Sequence, residues 1–186
     1  MTFAFAAARP MLLACAAGAM MTAAPAQASS EDDWATASDV VRAALVVAAV
    51  GTPVVEEDWQ GMRQAGMSLG ATYLVTEGLK QTFPTMRPDG SDNRSFPSNH
   101  TSLSFAAAAT IEERQGRTAG IVAHVAAAFV GVARVEARKH RWGEVLAGAA
   151  IGGVAGRLLT TRPSENVAIM PWGDTSGAGV TLAARF

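Results

Sequence analysis

The sequence has one cysteine, few aromatic residues and no excess of charge of either sign. Because Cys15 is the only cysteine, a disulfide within the chain is excluded. Lysine and arginine total 15 against 16 aspartates and glutamates, whereas a nucleic-acid partner requires a basic surplus that neutralises phosphates. We therefore expect no nucleic-acid partner, and any site for an anion must be local.

Alternating β-branched patterns are also scarce, and occur only in the tail, GVTLAARF. Alanine-rich stretches separated by short charged breaks favour helices elsewhere. They predict five helices, at about 37–50, 58–81, 98–114, 117–136 and 143–159. The predicted fold class is all-α, a single-domain helical bundle of about five core helices with a short extended C-terminal tail that forms a strand or a packed arm.

The first of these helices has recognisable start and stop signals. Ser38 and Asp39 are residue types that cap helix N-termini, and Gly51 and Pro53 are typical of a helix end. We therefore expect this helix to begin at one of the two polar residues and to stop before the glycine.

Long hydrophobic runs are absent from these helices. A helix that spans a bilayer needs about 20 mostly apolar residues, and the charge-free runs here are shorter, ending at residues such as Arg42, Glu77 and Arg134. A soluble bundle is therefore favoured. Small residues in LAGAAIGGVAG allow close helix packing in water and in lipid, so a membrane bundle remains the alternative.

The first thirty residues resemble a targeting segment. Arg9 precedes an apolar run that ends in the small-residue pattern AQA at 26–28. This pattern predicts a secretory signal peptide, residues 1–28, and a periplasmic or secreted domain, residues 29–186. The alternatives are an uncleaved membrane anchor and a lipoprotein attached at Cys15.

One polar stretch, KQTFPTMRPDGSDNRSFPSNH, stands out in this alanine-rich chain. Ser98 and Asn99 are good helix caps, and the N–H groups at a helix start favour anions. Lys80, Arg87 and Arg134 supply positive charges, and the two guanidinium groups can bind phosphate oxygens in pairs. The stretch is therefore either a solvated loop or part of a phosphate site.

The chain has three histidines. His124 lies in the apolar run GIVAHVAAAF, which indicates a core histidine with one hydrogen-bond partner. Histidine acts as a nucleophile or a proton donor near neutral pH, and His100 and His140 both lie in polar surroundings. Glu144 follows His140 by four residues, so on one helix face its carboxylate would fix the imidazole tautomer.

His140 and Glu144 also fit two simpler interpretations. The spacing His-x-x-x-Glu can hold a dication, but Lys139 and Arg141 flank the histidine and no cysteine or aspartate cluster accompanies it. A charged helix end facing water is the other interpretation, and it leaves Arg134 beside an apolar helix unexplained. We expect no metal and no cofactor.

These residues together match a family signature in three parts. In the first part, Lys80 is followed by six residues and then Arg87-Pro88. The second part is Pro97-Ser98-Asn99-His100. In the third part, Arg134 is followed by five residues and His140, and then by three residues and Glu144. The chain thereby resembles the type-2 phosphatidic acid phosphatase superfamily, which includes bacterial class A acid phosphatases and vanadium haloperoxidases. The motifs lie within residues 80–144.

The resemblance implies a role for each matching residue. His140 would attack phosphorus, His100 would protonate the leaving oxygen, and Glu144 would orient His140. The phosphate would be held by the remaining matches: Lys80, Arg87, Ser98, the backbone N–H of Asn99, and Arg134.

Three residues depart from the family pattern. Asn99 replaces glycine where the backbone approaches the ligand, Ala133 replaces serine, and Glu144 replaces aspartate. No reacting group is lost, but the changes leave open a weak or inactive relative.

The resemblance implies a metal-independent hydrolase that acts on a phosphate monoester or phosphoanhydride through a phosphohistidine. The partner is a phosphorylated lipid or a small soluble phosphate. Apolar helices, with Trp59 and Trp142 near charged segments, allow peripheral association with a membrane. The alternatives are a vanadate-dependent haloperoxidase, whose relatives are generally much longer, and a periplasmic phosphate- or lipid-binding relative without turnover. The oligomeric state does not follow from the sequence.

Overall fold

The computed structural model describes residues 31–162, 167–174 and 176–184. In these residues the five-helix, all-α bundle is confirmed, and a small hairpin follows it. The predicted signal peptide and Cys15 lie outside the described residues. The elements are α1 (Glu31–Val55), α2 (Trp59–Thr82), α3 (Asn99–Gln115), α4 (Arg117–Glu136), α5 (Trp142–Leu159), β1 (Val167–Asp174) and β2 (Gly177–Ala184).

Helix α1 starts earlier and ends later than predicted. Three acidic residues, 31–33, occupy its first turn, where they interact favourably with the helix dipole. Ser38 is not an N-cap, because it lies inside the helix and donates its hydroxyl to a carbonyl one turn back. Gly51 and Pro53 do not end the helix; they lie near its end, and Pro53 is buried, so packing offsets the missing backbone hydrogen bond.

The extended tail is confirmed as strand β2, which pairs antiparallel with β1. Strand β1 was not predicted, because its sequence VAIMPWGD contains a proline and a glycine that indicate a break. In a two-stranded sheet each strand is an edge, and proline is tolerated in edge strands.

Helix α3 lies at the centre of the bundle and contacts each of the other four helices. Its middle, residues 106–109, consists of four alanines with no exposed surface. Such small side chains let neighbouring helices approach closely. Leu45 and Ala49 of α1 and Ala127 of α4 complete this part of the core.

Helices α3 and α5 are in close backbone contact. Gly148, Gly152 and Gly156 are four residues apart and therefore share one face of α5. A Cβ atom added at Gly152 would lie 1.9 Å from the carbonyl oxygen of Ser102, and one added at Gly148 would lie 2.5 Å from that of Ser98. The two backbones thus touch along this face, which brings the N-terminal ends of α3 and α5 together.

The bundle has polar groups inside and large apolar groups outside. Hydroxyl side chains line its interior, whereas Val47 of α1 is 67% exposed and Leu74 of α2 is 70% exposed. Among the described residues, α1 and α4 are long and apolar enough to cross a membrane by length and composition. The fully buried hydroxyl residues include Ser68, Thr72, Thr76, Thr101, Ser102 and Thr110.

Candidate active site

The loop between α2 and α3 folds back on itself and directs two side chains inward. Thr85 donates its N–H to the carbonyl of Asn93 at 2.9 Å, and Ser95 donates its N–H to the carbonyl of Thr85 at 2.9 Å. Gly90 supplies the positive φ of 72° that the tight turn needs. The polar stretch is therefore an ordered platform, and Arg87 and Ser95 project from it.

Lys80 anchors this platform to the end of α2. Its side chain is buried, and the ammonium donates to the carbonyl oxygens of Arg94 at 2.7 Å and Pro97 at 2.6 Å. A third carbonyl of the loop, that of Ser95, lies 3.5 Å from the ammonium, so the donors of Lys80 are engaged with the loop. Lys80, which the sequence predicts to bind phosphate, therefore also holds the loop against the end of α2.

His140 lies beside Arg87 and Glu144. Its Nδ1 atom is 3.1 Å from the Glu144 carboxylate, and its Nε2 atom is 3.4 Å from Nη1 of Arg87. A carboxylate only accepts hydrogen bonds, so Nδ1 carries the proton and Nε2 carries the lone pair. The other side of the Arg87 guanidinium donates to Asp92 at 2.8 Å, which fixes its orientation.

Glu144 is buried and satisfied by several donors. Besides His140, its carboxylate accepts hydrogen bonds from the Ser95 hydroxyl and from the backbone N–H and side chain of Arg141. Burial alone would raise the pKa of Glu144, but the hydrogen bonds from Ser95 and the Arg141 amide lower it overall. The longer side chain that replaces the family's aspartate still reaches His140.

His140 is held in its neutral form. Burial, followed by the positive charge of Arg87, lowers the pKa of His140 to about 3, although Glu144 acts in the opposite direction. Nearby, the hydrogen bond from Lys139 lowers the pKa of Asp89. At neutral pH the imidazole therefore presents an unprotonated nitrogen among cations.

Ser98 and Asn99 begin α3 as predicted. Ser98 is the N-cap, and its side chain accepts a hydrogen bond from the Thr101 N–H. The amide of Asn99 belongs to the first helical turn, where N–H groups have no intrahelical acceptor. The Asn99 side chain accepts from Thr76 at 3.0 Å, and its φ is not positive, so asparagine occupies this position without backbone strain.

His100 contacts a carboxylate that the sequence did not assign to the site. Its Nε2 atom is 2.6 Å from Oδ1 of Asp39 on α1. Burial, followed by the charges of Arg134 and Arg42, lowers the pKa of His100 to about 4, and Asp39 acts in the opposite direction. The charge of Arg134 also lowers the pKa of His140, so Arg134 is near both histidines.

Arg134 is buried at the end of α4 and has spare donor capacity. Its Nη1 donates to the Ser38 hydroxyl at 3.4 Å, and its Nε is buried with no hydrogen-bond partner among the described residues. A buried guanidinium with an unpaired donor is costly unless a ligand pairs with it. This is the behaviour expected of a phosphate-binding arginine.

All eight predicted site residues lie at one end of the bundle, whereas His124 does not contact them. Its Nδ1 is 2.8 Å from the carbonyl of Gly120, and its ring packs edge-on against Phe105. The side chain is 25% exposed and lies 3.9 Å from Glu112, so His124 is at the edge of the core rather than inside it. In the described part of the chain, no group of three or more histidine, cysteine, aspartate or glutamate side chains is arranged to hold a metal.

Sequence reasoning missed two site residues, Asp39 and Ser95. Asp39 lies 61 positions before its partner His100, and only the fold reveals such a contact. Ser95 lies inside the polar stretch, but a serine in a polar loop has no distinctive spacing. Both side chains contact residues that the motifs did identify.

Comparison with known proteins gives a family, a curated relative and two solved structures. The model of the PAP2 superfamily matches residues 61–168. Over 88 residues, 46% of this chain, the sequence is 34% identical to lipid A 1-phosphatase of Porphyromonas gingivalis. The matched segment spans 20% of that relative's length.

The two solved structures share the fold at low identity. LpxE of Aquifex aeolicus is 16% identical with a TM-score of 0.61, covering 86% of this chain and 98% of its own. A transmembrane PAP2-type phosphatidylglycerolphosphate phosphatase of Bacillus subtilis is 19% identical with a TM-score of 0.58, and the match covers 82% of this chain and 92% of that one.

Proposed function

The chain belongs to the PAP2 superfamily, and on that premise we propose that it is a phosphatase that cleaves lipid phosphates through a phosphohistidine. The geometry of His140 carries the proposal. Glu144 holds its Nδ1 and leaves the Nε2 lone pair facing Arg87 at 3.4 Å. A phosphate that draws Arg87 onto its oxygens would free this lone pair for attack on phosphorus.

The phosphate is held by fixed cations and amides. Arg87 and Arg134 donate from their guanidinium groups, and the Asn99 N–H donates from the start of α3. The Ser98 hydroxyl, which caps that helix, lies beside the same turn. Lys80 contributes mainly its charge, because its donors hold the loop. Since these groups neutralise the transferring phosphoryl group, hydrolysis needs no metal.

The reaction proceeds in two balanced steps. The Nε2 lone pair of His140 forms a bond to phosphorus as the bond to the leaving oxygen breaks, and His100 protonates that oxygen. Water then attacks phosphorus and loses a proton to His100. The N–P bond breaks, its electron pair returns to His140, and inorganic phosphate leaves.

A lipid is the favoured substrate for two reasons. The curated relative that is 34% identical over 88 residues is named lipid A 1-phosphatase. In addition, Trp142 lies next to the site at the start of α5 and is 53% exposed, and tryptophan is typical of membrane interfaces. The substrate class is a phosphate monoester or phosphoanhydride whose leaving group carries acyl or isoprenoid chains.

We further propose that the bundle is embedded in a membrane. Its charged residues cluster at the two ends, and each helix has a charge-free stretch between them: 43–55, 64–76, 101–111, 118–133 and 145–156. Measured along the helix axis, these stretches are about 17–24 Å long. Arginines at their edges can extend toward lipid headgroups. The large apolar residues exposed on the outer helices include Val40, Val47, Leu74, Ile121, Val125, Leu146, Val154 and Leu158.

The site would then face the periplasm. Arg138 lies 3.5 Å from Glu31, so the start of α1 is at the same end as the site. A leader over residues 1–28, whether cleaved or retained, would place the start of α1, and with it the site, on the periplasmic side of the membrane. We therefore retain the periplasmic assignment for the site and replace the soluble bundle with a membrane-embedded one.

The first test is hydrolysis by the purified full chain in detergent micelles. We expect phosphate release from a phosphatidate and from lipid A, with lower rates on glucose 6-phosphate and nucleotides. Activity on nitrophenyl phosphate should persist in chelator, because the charges that stabilise the transition state belong to Arg87, Arg134 and Lys80. Vanadate should inhibit, because it adopts the pentacoordinate geometry of phosphoryl transfer.

Three outcomes would contradict this proposal. Hydrolysis that chelator abolishes and zinc restores would identify a metalloenzyme. Bromide oxidation by the vanadate-loaded protein would favour the haloperoxidase. Saturable binding of phosphate or phosphatidate without turnover would indicate a binding relative.

The second test concerns the membrane. The chain should remain in the pellet when membranes are washed with alkaline carbonate. Val125→Asp, in the middle of an apolar stretch, should reduce its yield in that pellet, because a central charge costs about 2.5–3.5 kcal/mol. Arg138→Asp, outside the apolar stretches, is the control and should not. Release of the wild-type chain by carbonate would contradict the embedded bundle.

A further inference from the structure

Asp39 lies outside both the signature and the matched family segment, residues 61–168, yet it contacts the site. Its Oδ1 atom is 2.6 Å from Nε2 of His100, and its side chain is 53% exposed. Arg42, one turn later on α1, lies 3.8 Å from the same oxygen. Helix α1 therefore supplies a carboxylate to the histidine that the proposed reaction uses as acid and base.

The contact fixes which nitrogen of His100 can react. Because a carboxylate only accepts, Nε2 donates its hydrogen to Asp39 in both protonation states of the ring. Nδ1 is then the atom that exchanges a proton. Without this contact the neutral ring could adopt either tautomer. In the tautomer with its proton on Nδ1, His100 could not accept a proton from water at that atom.

The charged groups around His100 oppose its protonation. Arg134 approaches from α4 and Arg42 from α1, and both disfavour an imidazolium, whereas Asp39 favours it. A bound phosphate dianion would offset the two arginines. Asp39 is the protein carboxylate that remains beside the ring through both steps.

We propose that Asp39 is the positioning residue for His100, holding the ring so that Nδ1 first donates a proton to the leaving oxygen and then accepts one from water. The inference rests on the proposed phosphatase function. When Nδ1 gives up its proton, the Nε2–H stays on Asp39 and the ring becomes neutral. When water attacks the phosphohistidine, Nδ1 regains the proton and the cycle closes.

The test compares Asp39→Asn, Asp39→Ala and Asp39→Glu with Asp32→Asn, which removes an exposed carboxylate from the same helix. With a phosphatidate, the asparagine and alanine variants should lose about 10- to 100-fold in kcat, less than the 10²- to 10⁴-fold of a missing acid. With nitrophenyl phosphate, the burst of nitrophenolate should be unchanged, because that leaving group needs no proton. Asp39→Glu should recover part of the loss.

The pH profile separates positioning from a structural role. The kcat for the phosphatidate should fall at high pH as His100 loses its proton, which gives the pH profile a descending limb. Removing a carboxylate destabilises the imidazolium, so in Asp39→Asn this limb should move about one unit toward lower pH. Asp32→Asn should leave the limb and both rates unchanged.

Two results would overturn the assignment. One is an Asp39→Asn protein with the wild-type kcat and pH profile for the phosphatidate. The other is a nitrophenolate burst that is reduced as much as the phosphatidate kcat, with no shift of the descending limb. A wild-type chain that hydrolyses neither substrate would instead reject the phosphatase function.

Discussion

His140→Ala should lower hydrolysis of every phosphate ester by about 10⁶-fold, the order of magnitude measured when a catalytic nucleophile is removed. Among the histidines that the structure describes, His140 is the one whose Nδ1 contacts a buried carboxylate and whose Nε2 lone pair faces a cation. The measurement is steady-state phosphate release, together with acid-labile, alkali-stable phosphoenzyme after rapid quenching. The variant should form no phosphoenzyme.

His124→Ala is the matched control for this change. It also removes a histidine, but one that contacts Gly120 and Phe105 away from the site. Its turnover and its phosphoenzyme should match those of the wild type. A phosphate label that persists in His140→Ala would show that another residue is the nucleophile.

Gly152→Ala should destabilise the folded chain by about 3 kcal/mol, the upper part of the range for overpacking. Its Cβ would lie 1.9 Å from the Ser102 carbonyl oxygen, and backbone cannot rotate away as a side chain can. The two helices would have to separate, which would also displace Ser98 from Glu144. The midpoint of thermal unfolding in detergent and the rate of hydrolysis should both fall.

Gly153→Ala is the neighbouring control. Its added Cβ would meet only the end of the Arg157 side chain, at 3.5 Å. Alanine is favoured over glycine inside a helix by up to about 1 kcal/mol, so this variant should be as stable as the wild type or more so. Equal unfolding midpoints for Gly152→Ala and Gly153→Ala would contradict the close backbone contact.

Sequence patterns predicted the helices from α2 onward closely because charged and turn-forming residues separate them. The predicted range 117–136 matches α4, and 58–81 differs from α2 by one residue at each end. Helix α1 was predicted poorly because Gly51 and Pro53 indicate a stop, whereas the helix packs well enough to include both. Local preference is a weak guide where tertiary contacts oppose it.

The site was predictable where the motifs have fixed spacing. His140 and Glu144 are four residues apart and do meet. The predicted shared helix face is wrong, because α5 begins at Trp142 and His140 lies in the loop before it. Asp39 and Ser95 were missed because each joins the site through a contact between distant segments. The clustering of charge at the two ends of the bundle also needed the fold, since the linear sequence shows only interruptions between apolar runs.

The Ser98 N–H donates to the carbonyl oxygen of Glu144 at 3.1 Å, so the two halves of the site are joined by backbone. This bond directly links helix α3, whose first amides are the proposed phosphate donors, to helix α5, whose Glu144 contacts the proposed nucleophile. An active site of this kind undergoes little reorganisation when charge shifts during the reaction, because its dipoles were oriented when the chain folded. Catalysis here would depend on electrostatic preorganisation rather than on closure around the substrate.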